Sequence, residues 1–308
     1  MRVEIEGELR GMEDGGHYLN PAVWRLGERG LRVLSRWVEK PAEHGQPDAG
    51  KLIMMDLDFS GRVVKERQVW EQGDQGIVSL EDGRAIVVGE EGLVVVGMTA
   101  VVSCEGVLRA FPAMVTLENW GDGYGRLPRV RVLTELGPGK NTTPLNYPDM
   151  PGLMAFRSES ENRQLQAFWV DGRKKAEVVG NIKLIGGKSW ASHRAGFAAP
   201  PQDWEGNRVS LGLHGMNCEN NFYKYSLGMG SLTAGVGRGI FELRMSRDPI
   251  CDSRSFPGCP QLHPEIREAI YCVGKYNRGD DEQVWTISVG DTTIKRAVFS
   301  TNDLKQRI

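Results

Sequence analysis

Hydrophobic and polar residues alternate along most of this chain in short runs that glycine, proline and asparagine interrupt. The clearest example is the segment 77–102, in which β-branched residues form two runs on either side of Gly89-Glu90-Glu91-Gly92. Alternation with a period of two is typical of a half-buried strand, and a short glycine-containing break between two such runs predicts a hairpin. The segment is therefore expected to form two antiparallel strands.

Similar runs predict strands along the whole chain. Beyond the hairpin they are expected at 2–10, within 17–40 on either side of a turn at Gly27–Gly30, and at 52–59, 63–70, 108–117, 129–136, 153–157, 164–170, 176–184, 208–214, 222–227, 239–246, 270–276, 283–289 and 294–299. Helical periodicity is limited to His263–Ala269, where Pro264 suits the first turn of one short helix. The fold class is therefore expected to be all-β.

The strands fall into groups that begin near residues 17, 77, 129, 208 and 270. A spacing of roughly sixty residues, with four strands in each group, fits a propeller better than a sandwich. The sequence predicts one domain over residues 1–308, a five-bladed β-propeller. The lone first strand, Arg2–Arg10, is expected to close the ring by pairing with the last group, because its edge would otherwise be exposed.

Charge and hydropathy limit the partners of this chain. Lys and Arg number 38 against 40 Asp and Glu, for a net charge of −2, so there is no general attraction to nucleic acid or anionic lipid. The start, MRVEIEGELRG, has no apolar core of a signal peptide, and no apolar run approaches the ~20 residues of a membrane span. These features predict a cytoplasmic protein without a nucleic-acid or membrane partner, and leave self-association open.

The cysteines predict neither disulfides nor a metal centre. There are five, an odd number, and no CxxC pair, which favours free thiols in a reducing compartment. Cys251, Cys259, His263 and Cys272 do not have the spacing of the usual zinc ligands. We therefore expect no metal and no organic cofactor.

Several polar motifs lie near strand ends, where a propeller would bring them around one central cavity. They are Asn20-Pro21, Arg36, Glu81-Asp82-Gly83-Arg84, Lys140-Asn141, Arg157, His214-Gly215, Arg247-Asp248-Pro249 and Gly290-Asp291. Each also has a structural interpretation as a turn, a surface ion pair or a structural histidine. Because side chains alternate along a strand, Glu81 is expected to point away from Asp82.

Taken in order, these motifs resemble those of glycoside hydrolase family 130, the five-bladed mannoside phosphorylases, and more closely the uncharacterised domain-of-unknown-function family 1861. The segments that carry the resemblance are NPAVWRLGERGLRVLSRWVEK, LEDGRAIVVGEEGLVVVG, GPGKN with LMAFRS, RVSLGLHGM with YKYSLGMGSL, MSRDPI and WTISVGDTTIKRAV. Gly83 and Ser158 stand where the family has proline, Asn141 where it has aspartate, and Leu213 where it has tyrosine. Such departures suggest altered specificity, or drift toward binding without turnover.

The resemblance implies an inverting glycoside phosphorylase or glycosidase that acts on β-linked oligosaccharides, mannose-containing ones among them. Inorganic phosphate would be the co-substrate of a phosphorylase. Asp82 would be the acid, with its proton passing through a sugar hydroxyl. Lys140, Arg157 and His214 would bind phosphate, and Asn20, Arg36, Arg84 and Asp291 would bind the sugar. Trp24 or Trp120 could stack on sugar faces, although Trp24 fits the core equally well.

Physical requirements agree with these roles and leave alternatives open. Arginine suits two phosphate oxygens and lysine acts as a point charge, and the sequence shows no obvious crowding of these cations by acids. A hydrolase would instead need a second acid, such as Glu159 or Glu205, to activate water. A sugar-binding propeller without turnover is favoured if Asp82 does not face the cavity.

Overall fold

The computed structural model describes residues 4–12, 15–26, 30–40, 47, 50–89, 92–117, 125–160, 163–171, 175–187, 189–201, 204–219, 222–235, 239–257, 266–290 and 292–308. Within these ranges the chain forms 23 strands and one α-helix, α1 (Thr301–Lys305), so it is nearly all-β as predicted. None of the helices in the described part of the chain has the length and apolar character needed to cross a membrane.

Three sheets have four strands each, and two of them follow the chain in order. The first contains β2 (His17–Arg25), β3 (Leu31–Val38), β4 (Lys51–Leu57) and β5 (Val63–Glu71). The second contains β6 (Ser79–Val88), β7 (Leu93–Cys104), β8 (Val107–Leu117) and β9 (Arg131–Val132). The hairpin predicted at 77–102 is thus present as β6 and β7.

The third four-stranded sheet joins the two ends of the sequence. It contains β21 (Ile270–Arg278), β22 (Glu282–Val289), β23 (Thr293–Ser300) and β1 (Glu4–Leu9). Strand β1 pairs antiparallel with β23, from Glu4 opposite Val298 to Leu9 opposite Ile294. The first strand of the sequence therefore completes a sheet whose other strands come from residues 270–300.

The remaining sheet has eleven strands and consists of two antiparallel sets. One set is β10 (Gly139–Pro144), β11 (Leu153–Ser158), β12 (Leu165–Trp169) and β13 (Glu177–Ile185). The other is β14 (Arg194–Phe197), β16 (Arg208–Glu219), β17 (Phe222–Ala234) and β18 (Ile240–Met245), with the short β15 (Trp204–Glu205), β19 (Cys251–Asp252) and β20 (Ile266–Glu268) at its margins. The two sets are joined by a parallel pairing of β13 with β18. Each of these two strands covers the edge that the other would otherwise expose.

The core lies between neighbouring sheets. Strand β2 packs against β6 and β21, and β10 packs against β6 and β7. One cluster of fully buried side chains, which includes Ala22, Met54, Val96 and Met98, fills the space between the first two sheets. Trp24 belongs to the same cluster, which supports its interpretation as a core residue. Trp120 lies outside the described residues.

Three local predictions were wrong. Residues 266–268 of the expected helix His263–Ala269 form strand β20, which pairs parallel with β17; the first three residues of that segment lie outside the described ranges. The fourth group of strands was expected to begin near residue 208, but it begins at β14. The strand expected at 129–136 is limited to residues 131–132 and completes the second sheet, so the third group begins at β10 and not near residue 129. Strand β14 was missed because the run RAGF is four residues long and contains glycine and alanine, so it carries almost no alternation.

Candidate functional site

A cavity of about 240 Å³ opens where strands β2, β6 and β10 approach one another. It is lined by Leu19, Asn20, Arg36, Glu81, Asp82, Lys140, Asn141, Arg157, Glu159, Arg194, His214, Tyr225 and Tyr271. Of the eight residues to which the resemblance gave a role, six are in this lining: Asn20, Arg36, Asp82, Lys140, Arg157 and His214. Of the other two, Arg84 is not in the lining and Asp291 lies outside the described residues.

Three of the strands present polar side chains to this cavity by the same backbone device. Asn20, Asp82 and Asn141 have left-handed φ angles of 47°, 54° and 60°, and each lies at an interruption of the strand register. A bulge of this kind re-aims a side chain, and asparagine and aspartate adopt the left-handed region at lower cost than other L-residues. The residue types at these positions are thus explained by the backbone as well as by chemistry.

Buried hydroxyl groups hold two of these bulges from neighbouring sheets. The backbone N–H of Asn20 donates to Oγ of Ser288 at 2.8 Å, and that of Asn141 donates to Oγ1 of Thr99 at 3.1 Å. Both hydroxyl residues are fully buried. Since an unpaired buried N–H is costly, these contacts fix where each bulge begins.

Arg84 holds the third bulge and lies beneath the cavity, not on its surface. Its side chain is fully buried; Nη1 donates to the carbonyl of Asp82 at 2.8 Å and Nε to the carbonyl of Ala198 at 2.9 Å. Burial lowers the pKa of Arg84 to about 10, with Asp82 acting in the opposite direction. The guanidinium is therefore charged at neutral pH and ties β6 to the segment that follows β14.

Asp82 and Glu81 both face the cavity. Oδ1 of Asp82 accepts a hydrogen bond of 2.6 Å from Nδ2 of Asn20. Glu81 Oε1 lies 4.0 Å from Nη1 of Arg36, and its Oε2 lies 4.0 Å from Nζ of Lys140. The expectation that Glu81 points away from Asp82 was wrong, because the bulge at Asp82 interrupts the alternation of β6.

A third carboxylate lies at the end of β11. Nη2 of Arg157 donates to Oε1 of Glu159 at 2.6 Å, and the arginine is 4% exposed. Burial on its own raises the pKa of Glu159, but Arg157 outweighs this effect, so the pKa lies below its ordinary value and the group is ionised. The sequence showed no obvious crowding of the cations by acids, yet Glu81 and Glu159 both lie beside them.

His214 lies in the same wall as a buried, neutral imidazole. Burial, followed by the nearby charges of Arg84, Arg157 and Arg194, holds its pKa well below the ordinary value. Its Nε2 is 3.3 Å from Nδ2 of Asn141. His214 therefore adds no positive charge to the cavity at neutral pH.

Sequence reasoning missed Arg194, Tyr225 and Tyr271. Nη2 of Arg194 donates to the hydroxyl of Tyr225 at 2.7 Å, and the rings of the two tyrosines are 4.8 Å apart. Arg194 begins β14, the strand that the sequence pattern concealed, and the tyrosines occur in apolar runs that predict only strands. Arg194 is the fourth cation in the lining, after Arg36, Lys140 and Arg157. The lining also contains three carboxylates, so its net charge is +1.

Unpaired polar atoms collect around this cavity. Of eight buried side-chain nitrogen or oxygen atoms that lack a hydrogen bond within the described ranges, four belong to Asn20 (Oδ1), Arg84 (Nη2), Arg157 (Nε) and Arg194 (Nε). Such atoms are rare in proteins, and their concentration is typical of a functional site. Three of the four are guanidinium nitrogens, which can only donate.

Other candidates lie elsewhere. Glu205 has an 80% exposed side chain and lines a different cavity, together with Lys275 and Lys305. Arg247 and Asp248 line a separate depression near α1. No set of three or more His, Cys, Asp or Glu side chains positioned for a metal ion occurs in the part of the chain that the structure describes.

Comparison with known proteins shows similarity of fold only. No family model and no curated protein sequence matches this chain. A β-1,2-mannobiose phosphorylase from Listeria innocua in complex with β-1,2-mannobiose superposes with a TM-score of 0.69 at 13% identity, over 100% of this chain and 99% of that one. The mannose phosphorylase MPT-4 from Leishmania mexicana, in complex with phosphate, gives 0.54 at 12% identity over 97% and 89% of the two chains. A GH43_1 enzyme from Xanthomonas citri gives 0.51 at 8% identity over 96% and 89%.

Proposed function

We propose that this protein is an inverting glycoside phosphorylase that acts on β-linked oligosaccharides, with mannose-containing ones as the first to test. The observation that carries the proposal is the meeting of Asp82 with Lys140, Arg157 and Arg194 in one cavity. One carboxyl group and a cluster of cations are the two elements that phosphorolysis needs. The similar fold of two mannoside-active phosphorylases supports the choice of sugar.

The proposal includes the architecture. The five antiparallel sets of four strands correspond to five blades, and β1 closes the ring as the outer strand of the last blade. In such a ring the innermost strands β2, β6, β10, β14 and β21 surround the axis. The cavity lining draws on all five of these strands, as this arrangement requires.

In the proposed reaction Asp82 gives a proton to the oxygen of the departing sugar, directly or through a sugar hydroxyl. The bond between the anomeric carbon and that oxygen breaks, and an oxygen of inorganic phosphate bonds to the same carbon from the opposite face. The products are a shortened sugar and a sugar 1-phosphate of inverted configuration. Asn20 orients the carboxyl group by donating to Oδ1 of Asp82.

Phosphate would be held at the cationic end of the cavity. Lys140 is the most accessible cation, with a side chain 41% exposed, and is suited to meet an anion entering from solvent. Arg157, which is buried, and Arg194, which is half-buried, line the same cavity, and each is already oriented by a protein partner, Glu159 and Tyr225 respectively. Oriented guanidinium groups bind oxyanions at low entropic cost. Asn20, Arg36 and Asp291 remain the proposed sugar contacts.

The test is product analysis with a panel of β-linked disaccharides, β-1,2-mannobiose first, with and without inorganic phosphate. Phosphate-dependent formation of a sugar 1-phosphate is the expected result. Lys140→Ala should raise KM for phosphate and leave KM for the disaccharide nearly unchanged. Cleavage at the same rate without phosphate would overturn phosphorolysis.

A second candidate is hydrolysis, which the presence of Glu159 in the cavity favours. A hydrolase requires a second carboxylate to activate water on the face opposite the acid. Glu159→Gln separates the two reactions, because it should abolish hydrolysis, whereas phosphorolysis should continue with a weaker affinity for phosphate through the loss of the Arg157–Glu159 ion pair. If the wild-type protein binds oligosaccharides without turning any of them over, the protein is a sugar-binding propeller.

A further inference from the structure

Asn141 and His214 form a buried pair in the cavity wall, with exposed fractions of 5% and 2%. We propose that this pair is a hydroxyl-binding element: His214 fixes the side-chain amide of Asn141 so that its carbonyl oxygen Oδ1 accepts a hydrogen bond from the sugar. In this role Asn141 determines specificity for the sugar, and His214 is a positioning residue that does not contact phosphate. The inference rests on the proposed function for the identity of the ligand.

Hydrogen bonding determines the form of the imidazole. A backbone hydrogen bond with Phe197 raises the pKa of the ring, which is the effect of a ring N–H that donates to a carbonyl group; Nε2 lies 3.3 Å from the amide nitrogen of Asn141. An amide nitrogen only donates, so Nε2 must accept, and the proton lies on Nδ1. Both ring nitrogens are thereby occupied, which leaves no N–H of His214 for an anion.

The surrounding charges keep the ring in this neutral form. Arg84, Arg157 and Arg194 all disfavour an imidazolium, and the ring of Tyr271 packs at 5.7 Å from that of His214. The largest effects of neighbouring charges on the His214 ring all come from arginines, which favour its neutral form.

Gly196 leaves only enough space for the contact between His214 and Asn141. A Cβ atom at this position would lie 2.6 Å from Nε2 of His214 and 2.9 Å from Nδ2 of Asn141, so any side chain there collides with the hydrogen bond itself. Gly196 stands directly opposite His214 across the β14–β16 pairing. Only glycine lets the strands approach while the two side chains remain paired.

The geometry also determines which atom of Asn141 faces the ligand. Its backbone is held in the left-handed conformation by Thr99, and its Nδ2 is directed at His214. Because the residue lines the cavity, Oδ1 is the polar atom it offers there. A carbonyl oxygen repels phosphate and accepts from a hydroxyl group, so this part of the wall selects a neutral sugar group.

The tautomer is tested without any ligand. Nitrogen-15 NMR of the full chain, with the His214 signals assigned by comparison with His214→Gln, should show a protonated Nδ1 and an unprotonated Nε2 at pH 7. Gly196→Ala should perturb both signals, whereas Gly125→Ala, where an added Cβ meets no atom within 4 Å, should leave them unchanged. An imidazolium or an Nε2–H tautomer in the wild type would overturn the proposal, even if the protein has no phosphorylase activity.

The ligand is tested with Asn141→Gly, which removes the amide without penalising the left-handed backbone. We expect the dissociation constant of the disaccharide to rise about fivefold, the scale of one lost neutral hydrogen bond, and that of inorganic phosphate to stay within about twofold. Lys140→Ala should give the reverse pattern. Weaker phosphate binding with unchanged sugar binding in Asn141→Gly would instead assign the pair to the anion. Calorimetry measures both constants without turnover, so a failure of the proposed reaction does not affect this result.

Discussion

The side-chain amide of Asn20 donates a hydrogen bond of 2.6 Å to Oδ1 of Asp82, a residue 62 positions further along the chain. Both residues have left-handed backbones at bulges of innermost strands, β2 and β6. A donor at this distance fixes the orientation of the carboxyl group within the cavity. Asp82 is thus positioned by another strand, as is expected of a group that must meet a bond in a substrate.

Replacement of Asp82 by asparagine should abolish most turnover. Asp82→Asn keeps the shape, tolerates the left-handed backbone and still accepts from Asn20, but it has no proton to give. We expect kcat to fall by at least about 100-fold, the usual scale for loss of a general acid. The assay is release of sugar or sugar 1-phosphate, with the melting temperature as a control for folding. Wild-type turnover in Asp82→Asn would remove this residue from the mechanism.

Glu81→Gln should act on phosphate and not on the chemical step. Glu81 lies 4.0 Å from both Arg36 and Lys140 and partly neutralises them. Loss of its charge leaves the half-exposed Lys140 more available to phosphate and should lower KM for phosphate by about threefold, since a partly exposed pair contributes up to about 1 kcal/mol. Initial rates at varied phosphate concentration measure this effect. A fall in kcat comparable to that of Asp82→Asn would instead make Glu81 part of the acid machinery.

His214 should give the protein a stability that is lost in mild acid. Its native-state pKa lies well below the ordinary value of 6.5, so below pH 6.5 the unfolded chain binds a proton that the folded chain does not. Stability from this group is complete above pH 6.5 and falls as the pH decreases, by up to about 1.4 kcal/mol per pH unit.

Denaturant unfolding of the wild type and His214→Gln between pH 5 and 8 provides the measurement. As the pH decreases below 6.5, the free energy of unfolding of the wild type should fall progressively further relative to that of His214→Gln. Parallel curves over the whole range would show that His214 has an unperturbed pKa.

Deletion of residues 1–11 should weaken the whole domain. Strand β1 covers the edge of β23, and Leu9 is buried in the same cluster as Val298 and Tyr276. Without it, the last sheet has three strands and an exposed edge. We expect a lower melting temperature and a broader, less cooperative transition by calorimetry. An unchanged transition would contradict the proposed closure of the ring.

Short-range pattern was sufficient for most of the strands. The hairpin at 77–102 and the strand starts near 17 and 270 follow from alternation and from glycine-containing breaks, because each depends on neighbouring residues only. Strand β14 was missed because its small residues show no alternation; they are fixed by a close approach to His214. Because β14 was missed, Arg194 was absent from the predicted site.

The sequence by itself determined that the protein is nearly all-β and which charged residues lie near strand ends. Only the tertiary structure decided that Glu81 and Asp82 face one cavity, because a bulge cancels the alternation that neighbouring residues otherwise obey. It also decided that Arg84 is buried below that cavity and that His214 is neutral. Burial and charge depend on residues that are distant in sequence and close in space, and these neighbours are brought together only by the packing of the sheets.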